Sequence, residues 1–199
     1  GNPLWYMDEK DANDNLTGKR VTTSDYASAS YYYVNKSSLP KVYGGFNTSL
    51  SWKGFDLSAI FAYSIGGYIY NRDVTMILHN GSLEGRDWST EILRRWTPDN
   101  RYTDVPALST TSNNWNSAST RFLQNNSYMR LKNLTLSYNL PKQWISKLSL
   151  SSVQVYVQGD NLFTIHRNQG LDPEQGITGI TYYRYPAMRT ISGGINVSF

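Results

Sequence analysis

Few side chains in this sequence are placed to do chemistry, and each candidate has an ordinary alternative. His79 and His166 stand alone, without a second ligand nearby, so exposed loop histidines are favoured over a metal site or a catalytic base. Asp172 and Glu174 could be imagined as the carboxylate pair of a glycosidase. Because the two residues flank Pro173 in a loop, the sequence favours a turn at this position.

A second candidate is a metal loop near the start of the chain. Asp11, Asn13 and Asn15 have the every-second-residue spacing of a calcium loop, but Leu16 stands where the turn glycine belongs and no Glu occupies the twelfth position. A solvated loop is therefore favoured. The sequence has no serine-hydrolase, phosphate-loop or zinc-protease motif. We predict no metal site, no cofactor and no enzymatic activity.

Composition narrows the class of protein. The 199 residues include no cysteine, which excludes disulfides and thiolate chemistry. The net charge of +4 is scattered, so nucleic-acid binding is disfavoured. No apolar run approaches the roughly 20 residues of a membrane helix, whereas the alternating strands of a membrane barrel stay possible. The chain starts at Gly1 without a signal peptide, and we expect a mature form or a fragment.

Alternation of apolar and polar residues predicts an all-β, antiparallel protein. We place strands at about 41–53, 55–68, 127–140, 148–160 and 189–199, and long loops at about 7–40, 71–126 and 165–188. A tight turn at Lys53 and Gly54 makes a hairpin of the first two strands. The alternation of apolar and polar residues reverses its phase before Lys132, which predicts a bulge. Residues 89–96 could form a short helix. Long loops alternate with short connections, as in outer-membrane barrels, whose short turns are periplasmic.

The last strand offers one further signal. Its apolar residues fall on one face, and the chain stops on an aromatic residue. We interpret Ile195, Val197 and Phe199 as a barrel-assembly signal. The alternative is an ordinary half-buried strand of a soluble sheet.

Several segments together resemble SusC/RagA-type TonB-dependent outer-membrane transporters. They include YMRLKNLTL at 128–136, GLDPE at 170–174 and NVSF at 196–199, in the family's order and spacing. The match runs from Pro40 onward, and residues 1–39 match only loosely. It implies the C-terminal segment of a large transmembrane barrel, of about 22 strands, without the plug domain. It also implies uptake of oligosaccharides or peptides in the bacterial outer membrane.

The resemblance implies partners as well: the remainder of the transporter, a SusD-like surface lipoprotein, TonB through the missing N-terminal part, and outer-membrane lipid. We expect substrate or partner contacts in the long loops, where aromatic faces can stack on sugars and arginine donates fixed hydrogen bonds. The candidates are Trp88, Trp96, Trp115, Tyr182, Tyr183 and Arg184. The alternative is loop packing, which is favoured for Trp96. The alternative function is a soluble β-sandwich that binds carbohydrate, and a glycoside hydrolase lacks a convincing acid/base pair.

Overall fold

The chain folds into two compact units in a computed structural model. The structure describes residues 1–81, 83–109, 111, 114–168, 170–174 and 178–199. Unit 1 comprises Gly1–Asn35 and Asn71–Leu123, and unit 2 comprises Lys36–Tyr70 and Gln124–Phe199. None of the described helices has the length and apolar character needed to cross a membrane.

Unit 1 begins with an antiparallel hairpin of β1 (Trp5–Lys10) and β2 (Leu16–Thr23). Its turn is held by Asp11, whose Oδ1 accepts hydrogen bonds from the backbone N–H groups of Asn13 (2.8 Å) and Asn15 (2.9 Å). The prediction of a continuous loop over 7–40 is therefore wrong for its first half. The hairpin was missed because β1 is short and opens on three apolar residues in a row, whereas β2 is polar and largely exposed. Neither strand shows the alternation of a half-buried strand.

The rest of unit 1 surrounds a small apolar core between short helices. Helix α1 (Arg72–Ile77) is capped by the Asn71 side chain, which accepts a hydrogen bond from the Val74 N–H. The short helix predicted at 89–96 is a 3-10 helix, Thr90–Arg94, capped by Ser89. The core consists of Leu78, Ile92, Val105 and Trp115, with Val74 packed against it.

Unit 2 is built on a five-stranded antiparallel sheet. The remaining strands of the chain and its second α-helix, in chain order, are β3 (Val42–Trp52), β4 (Phe55–Ile65), β5 (Tyr68–Asn71), β6 (Leu123–Asn125), β7 (Tyr128–Asn139), α2 (Lys142–Ile145), β8 (Ser152–His166), β9 (Ile180–Thr181) and β10 (Thr190–Ser198). The main sheet has the order β10-β8-β7-β4-β3, and β6-β5-β9 form a second, small sheet. We call the end of the main sheet near Lys53 its turn end, and the opposite end its loop end.

The β3–β4 turn explains the long regular hairpin. Lys53 and Gly54 both have positive φ angles, +47° and +90°. Two consecutive left-handed residues form a turn whose twist matches that of the strands. The two strands consequently pair without a register shift, from Trp52 opposite Phe55 to Val42 opposite Ile65.

A bulge in β7 keeps the alternation in phase. Leu131 pairs with Phe61 while Asn133 pairs with Ile60, which leaves Lys132 as the extra residue. The bulge predicted from the phase reversal is thus confirmed. Because side chains alternate with a period of two, the extra residue places the apolar residues before and after it on the same face.

Strand β8 has a matching irregularity at the same level. Residues Asn161 and Leu162 fall outside its pairing with β7, and Asn161 has a φ angle of +52°. A Cβ atom at Gly159 would lie 2.7 Å from the Leu162 side chain, so a larger residue here would force Leu162 to move. The irregularity lets β8 continue to His166, whereas the sequence pattern ended the strand at about 160 and began the loop at 165.

The register divides the side chains of the main sheet between two faces. The apolar face, from β3 to β10, carries Val42, Phe46, Leu50, Trp52, Phe55, Leu57, Ala59, Phe61, Tyr63, Ile65, Met129, Leu131, Leu134, Leu136, Tyr138, Val155, Val157, Phe163, Ile165, Ile191, Ile195 and Val197. Many of these are open to the surroundings: Leu50 is 66% exposed, Ile191 73% and Ile195 64%. The opposite, polar face carries mainly serine, threonine, asparagine, glutamine and charged residues.

Deleting Lys132 tests the role of the bulge. Without the extra residue, half of β7 must place its polar side chains on the apolar face or lose its pairing. We expect the native protein with this deletion to become sensitive to protease in β7. The matched control Lys132→Gln removes only the charge and should stay resistant. Equal resistance of the deletion variant and the control would contradict this role.

Candidate functional site

The polar face is organised by side-chain hydrogen bonds that cross every strand of the main sheet. Asp56 accepts from the Ser51 hydroxyl (2.5 Å) and from the Asn139 amide (2.6 Å). Asn139 accepts from Gln154 (3.1 Å), and Gln154 in turn accepts from Asn196 (3.2 Å). We call these five residues the polar chain. Each strand contributes one member, and the donors of the chain all point toward the Asp56 carboxylate.

A second group of charged residues lies near the loop end of the sheet. The Arg130 guanidinium donates from Nη2 to Asp172 (2.5 Å), from Nη1 to Glu174 (2.7 Å) and from Nε to the Thr164 hydroxyl (2.8 Å). Lys132, the bulge residue, contacts Glu174 at 2.8 Å. We call these five residues the Arg130 cluster. The side chains of Arg130 and Asp172 are only 4% and 6% exposed.

Asp172 ties two parts of the long β8–β10 connection to the sheet. Its carboxylate accepts from the backbone N–H groups of Glu174 (2.9 Å) and Ala187 (2.5 Å), in addition to Arg130. Burial by itself raises the pKa of the Asp172 carboxyl, but these hydrogen bonds and the Arg130 charge outweigh it and hold the pKa below its ordinary value. Asp172 is therefore an ionised anchor for the loop.

The Arg130 cluster was only partly visible in the sequence. The turn favoured for Asp172 and Glu174 is present, because the Asp172 carboxylate accepts from the Glu174 N–H. Their cationic partners were missed because they lie 42 residues or more away in the chain. The available signal was the placement of Arg130 and Lys132 in a strand whose other polar-face residues are uncharged.

In unit 1, Trp115 and Trp88 both use their indole N–H groups internally. Trp115 is 7% exposed and donates to the Leu78 carbonyl at 2.7 Å. Trp88 is 44% exposed and donates to Nδ1 of His79 at 3.0 Å. Trp115 therefore contributes to the core of unit 1, whereas one side of Trp88 stays accessible.

His79 departs from expectation. The sequence indicated an exposed loop histidine, but His79 is 1% exposed, and its Nδ1 also accepts from the Gly81 N–H at 3.3 Å. Two N–H donors at Nδ1 require the neutral ring. Burial lowers the pKa of His79 below its ordinary 6.5 and outweighs an interaction with the Arg86 backbone that raises it, while the Arg86 charge lowers it further. His166, by contrast, is exposed as expected, but it ends strand β8 and does not lie in a loop.

The other predicted contact residues lie in two separate settings. In unit 1, a Cβ atom at Gly1 would be 2.8 Å from the Trp96 ring, so this indole packs against the backbone there. In unit 2, the rings of Tyr182 and Tyr183 contact each other, with centroids 4.3 Å apart, and both are about half exposed. Arg184 is exposed beside them. Within the described residues, no group of three or more histidine and acidic side chains is arranged to hold a metal ion.

Comparison with known proteins relates the chain to one family. It is 34% identical over 166 residues to TonB-dependent receptor P3 of Formosa agariphila, an alignment that covers 78% of this chain and 16% of that receptor. A solved structure of the RagAB peptide importer in its closed-closed state covers the whole chain, with 35% identity and a TM-score of 0.81. The chain belongs to the SusC/RagA-type TonB-dependent receptors of the outer membrane.

Further similarities fit this family. TonB-dependent receptor SusC of Bacteroides thetaiotaomicron is 27% identical over 168 residues, which is 84% of this chain. The open-open state of the RagAB importer gives a TM-score of 0.82 at 34% identity. The chain spans only 16% of P3 and of SusC and 21% of the RagAB chain. No protein-family model matches it. The receptor family agrees with the prediction that the chain is not an enzyme.

Arg130→Met tests the anchoring of the loop. Removing the guanidinium leaves the Asp172 carboxylate buried without its cation, which costs about 3–5 kcal/mol. Hydrogen–deuterium exchange on the intact receptor should show much faster exchange at the amides of Glu174 and Ala187. The control Lys132→Met removes a more exposed cation and should cost less than about 1 kcal/mol. Equal effects of the two variants would contradict the central role of Arg130.

The buried His79 predicts a pH dependence in unit 1. Because its pKa is lowered in the folded state, stability is complete above pH 6.5 and declines as the pH falls below 6.5. Exchange at the Gly81 amide of the intact receptor should therefore accelerate between pH 7.5 and pH 5, after correction for intrinsic rates. His79→Gln should remove this dependence. A pH response that survives in His79→Gln would assign it to another group.

Proposed function

We propose that the chain supplies five adjacent strands to the barrel wall of an outer-membrane TonB-dependent transporter. This transporter imports oligosaccharides or peptides together with a SusD-like surface lipoprotein, and TonB energises it through a part of the protein outside this chain. The apolar face contacts lipid, and the polar face lines the lumen. The remainder of the polypeptide closes the barrel and provides the plug.

The exposed apolar face carries this proposal. Aliphatic and aromatic side chains continue across all five strands without a second sheet over them in the described part of the chain. A β-sandwich would bury this face against another sheet about 10 Å away. In water so large an apolar surface would drive association, whereas in a bilayer it is the required surface. The transporter is therefore favoured over the soluble carbohydrate-binding module.

Aromatic residues at the turn end support the same placement. Trp52 is 64% exposed on the apolar face, next to Phe55 and Tyr138, whose ring centroids are 4.5 Å apart. Amphipathic rings concentrate where the hydrocarbon of a membrane meets its headgroups. This places the turn end at the periplasmic interface. The short turns there fit this placement, because outer-membrane barrels have short periplasmic turns and longer extracellular loops.

The edges of the sheet require neighbours. In the described structure β3 and β10 are each paired on one side only. Unpaired backbone N–H and C=O groups each cost several kcal/mol in hydrocarbon, so both edges must pair with further strands. The relatives, of which this chain spans only a fraction, are long enough to provide them.

The exposed loop residues are candidates for contact with substrate or lipoprotein. Tyr182, Tyr183 and Arg184 offer two ring surfaces and a cation from a loop that the Arg130 cluster anchors. Trp88 offers one accessible ring side in unit 1. Trp96 and Trp115 instead support the loops by packing, and through them the shape of the binding surface.

Cell fractionation with an antibody against β10 tests the proposed function. A band several times larger than 22.7 kDa should appear in the outer-membrane fraction and co-purify with a lipoprotein. The Phe199→Ala variant should show less of this band if Ile195, Val197 and Phe199 form the assembly signal. A soluble band of 22.7 kDa would overturn the transporter, and unchanged assembly of Phe199→Ala would overturn the assembly signal alone.

A further inference from the structure

Unit 2 contains a pocket of about 320 Å³ near the loop end of the polar face. Strands β3, β4 and β7 form one wall, and residues before β3, in β5 and in the β8–β10 connection form the others. The groups that the pocket offers are mainly hydroxyls, amides and aromatic rings. They come from Ser38, Tyr43, Ser64, Tyr68, Asn126 and Tyr128.

The chemistry of the lining selects a neutral ligand. None of the described residues that line the pocket carries a charge. Pro173 lines the pocket, but its neighbours Asp172 and Glu174 direct their carboxylates to Arg130 instead. A charged ligand would therefore lose its hydration with little compensation. Lys36, whose ammonium lies 4.5 Å from the centroid of the Tyr68 ring, is exposed and outside the lining, so water and salt screen its charge. A neutral ligand with hydroxyl groups would exchange water for hydroxyl partners.

The aromatic rings and the volume of the pocket restrict the class of ligand further. Within this chain the Tyr43 ring, on the polar face of edge strand β3, is 78% exposed and gives the pocket a stacking surface. Tyr68 and Tyr128 add partly buried rings with polar tips. Aromatic faces suit the apolar face of a sugar ring, and a volume of about 320 Å³ is at the small end of ligand pockets, enough for one such ring.

The loop wall of the pocket is held in place by two sets of contacts. The Asn126 side chain donates to the Pro173 carbonyl at 2.8 Å and accepts from the Asn168 amide at 2.8 Å. Asp172 and Glu174, on either side of Pro173, are bonded to Arg130. A wall fixed in this way is formed before a ligand arrives, which lowers the entropic cost of binding.

We propose that this pocket is a binding subsite for a single neutral pyranose unit of a glycan. The proposal rests on the transporter function proposed above and gives its cargo a class: a neutral oligosaccharide that contacts the lumenal wall on its way through the barrel. Tyr43 stacks on the sugar ring, and the hydroxyls of Ser64 and Tyr128 bind its hydroxyl groups. Arg130 acts as a positioning residue, through Pro173, and does not touch the sugar.

Ligand-observed NMR on the intact, detergent-solubilised receptor tests the subsite. The probes are methyl glycosides of glucose, galactose, mannose and N-acetylglucosamine, with a capped tyrosyl dipeptide for comparison. At least one glycoside should show saturation transfer from the receptor. Ala62→Trp, which fills the pocket from β4, should lower the apparent affinity by about tenfold or more.

Two further variants keep the outcome decisive. Ser58→Trp places the same bulk on the same face of β4, four residues away and outside the pocket lining, and should leave glycoside binding unchanged. Tyr43→Ala removes only an exposed ring and should weaken binding even if Ala62→Trp fails to assemble. Absence of glycoside binding, binding of the dipeptide alone, or glycoside binding unaffected by Ala62→Trp or Tyr43→Ala would overturn the subsite. Such a result would leave the outer-membrane location, measured by fractionation, untouched.

Discussion

The register of backbone pairing is the constraint on which the rest of unit 2 depends. Since side chains alternate between faces with a period of two, one shifted residue would exchange the apolar and polar surfaces. The left-handed pair Lys53 and Gly54 sets the register of β3 on β4, and the Lys132 bulge restores it along β7. The apolar surface, the polar chain and the pocket all follow from this register, because each collects side chains from several strands.

The bulge also links the register to the electrostatics of the loop. Lys132 is the residue of β7 that has no partner in the pairing with β4. Its ammonium group binds the Glu174 carboxylate, which Arg130 also binds. Burying the charge of Arg130 or of Asp172 without its partner would be very costly. Because Asp172 belongs to the loop, the ion pair forms only while the loop stays in place. A long connection that would otherwise be free to move is thereby fixed by a small number of strong contacts.

The sequence predicted what depends on local pattern and missed what depends on distant partners. The alternation in 41–53 and 55–68 and the turn residues Lys53 and Gly54 indicated the hairpin that the structure shows as Val42–Trp52 and Phe55–Ile65. The hairpin of β1 and β2 carries no such pattern. His79 could not be placed from sequence either, because its burial depends on Trp88 and on the way the loop folds over it. The partners of Arg130 lie beyond a whole strand and its turn.

The same contacts explain how a neutral pocket can lie beside a highly charged cluster. Asp172 and Glu174 direct their carboxylates toward Arg130 and Lys132, while the Pro173 between them faces the pocket. Proline has no N–H to leave unsatisfied, and its carbonyl is bound by Asn126. The acidic segment therefore contributes its backbone and ring to the pocket and its charge to the anchor. Weakening the anchor would release both carboxylates toward the lumen and change the pocket from neutral to acidic, so the specificity of the wall depends on the integrity of the ion pairs behind it.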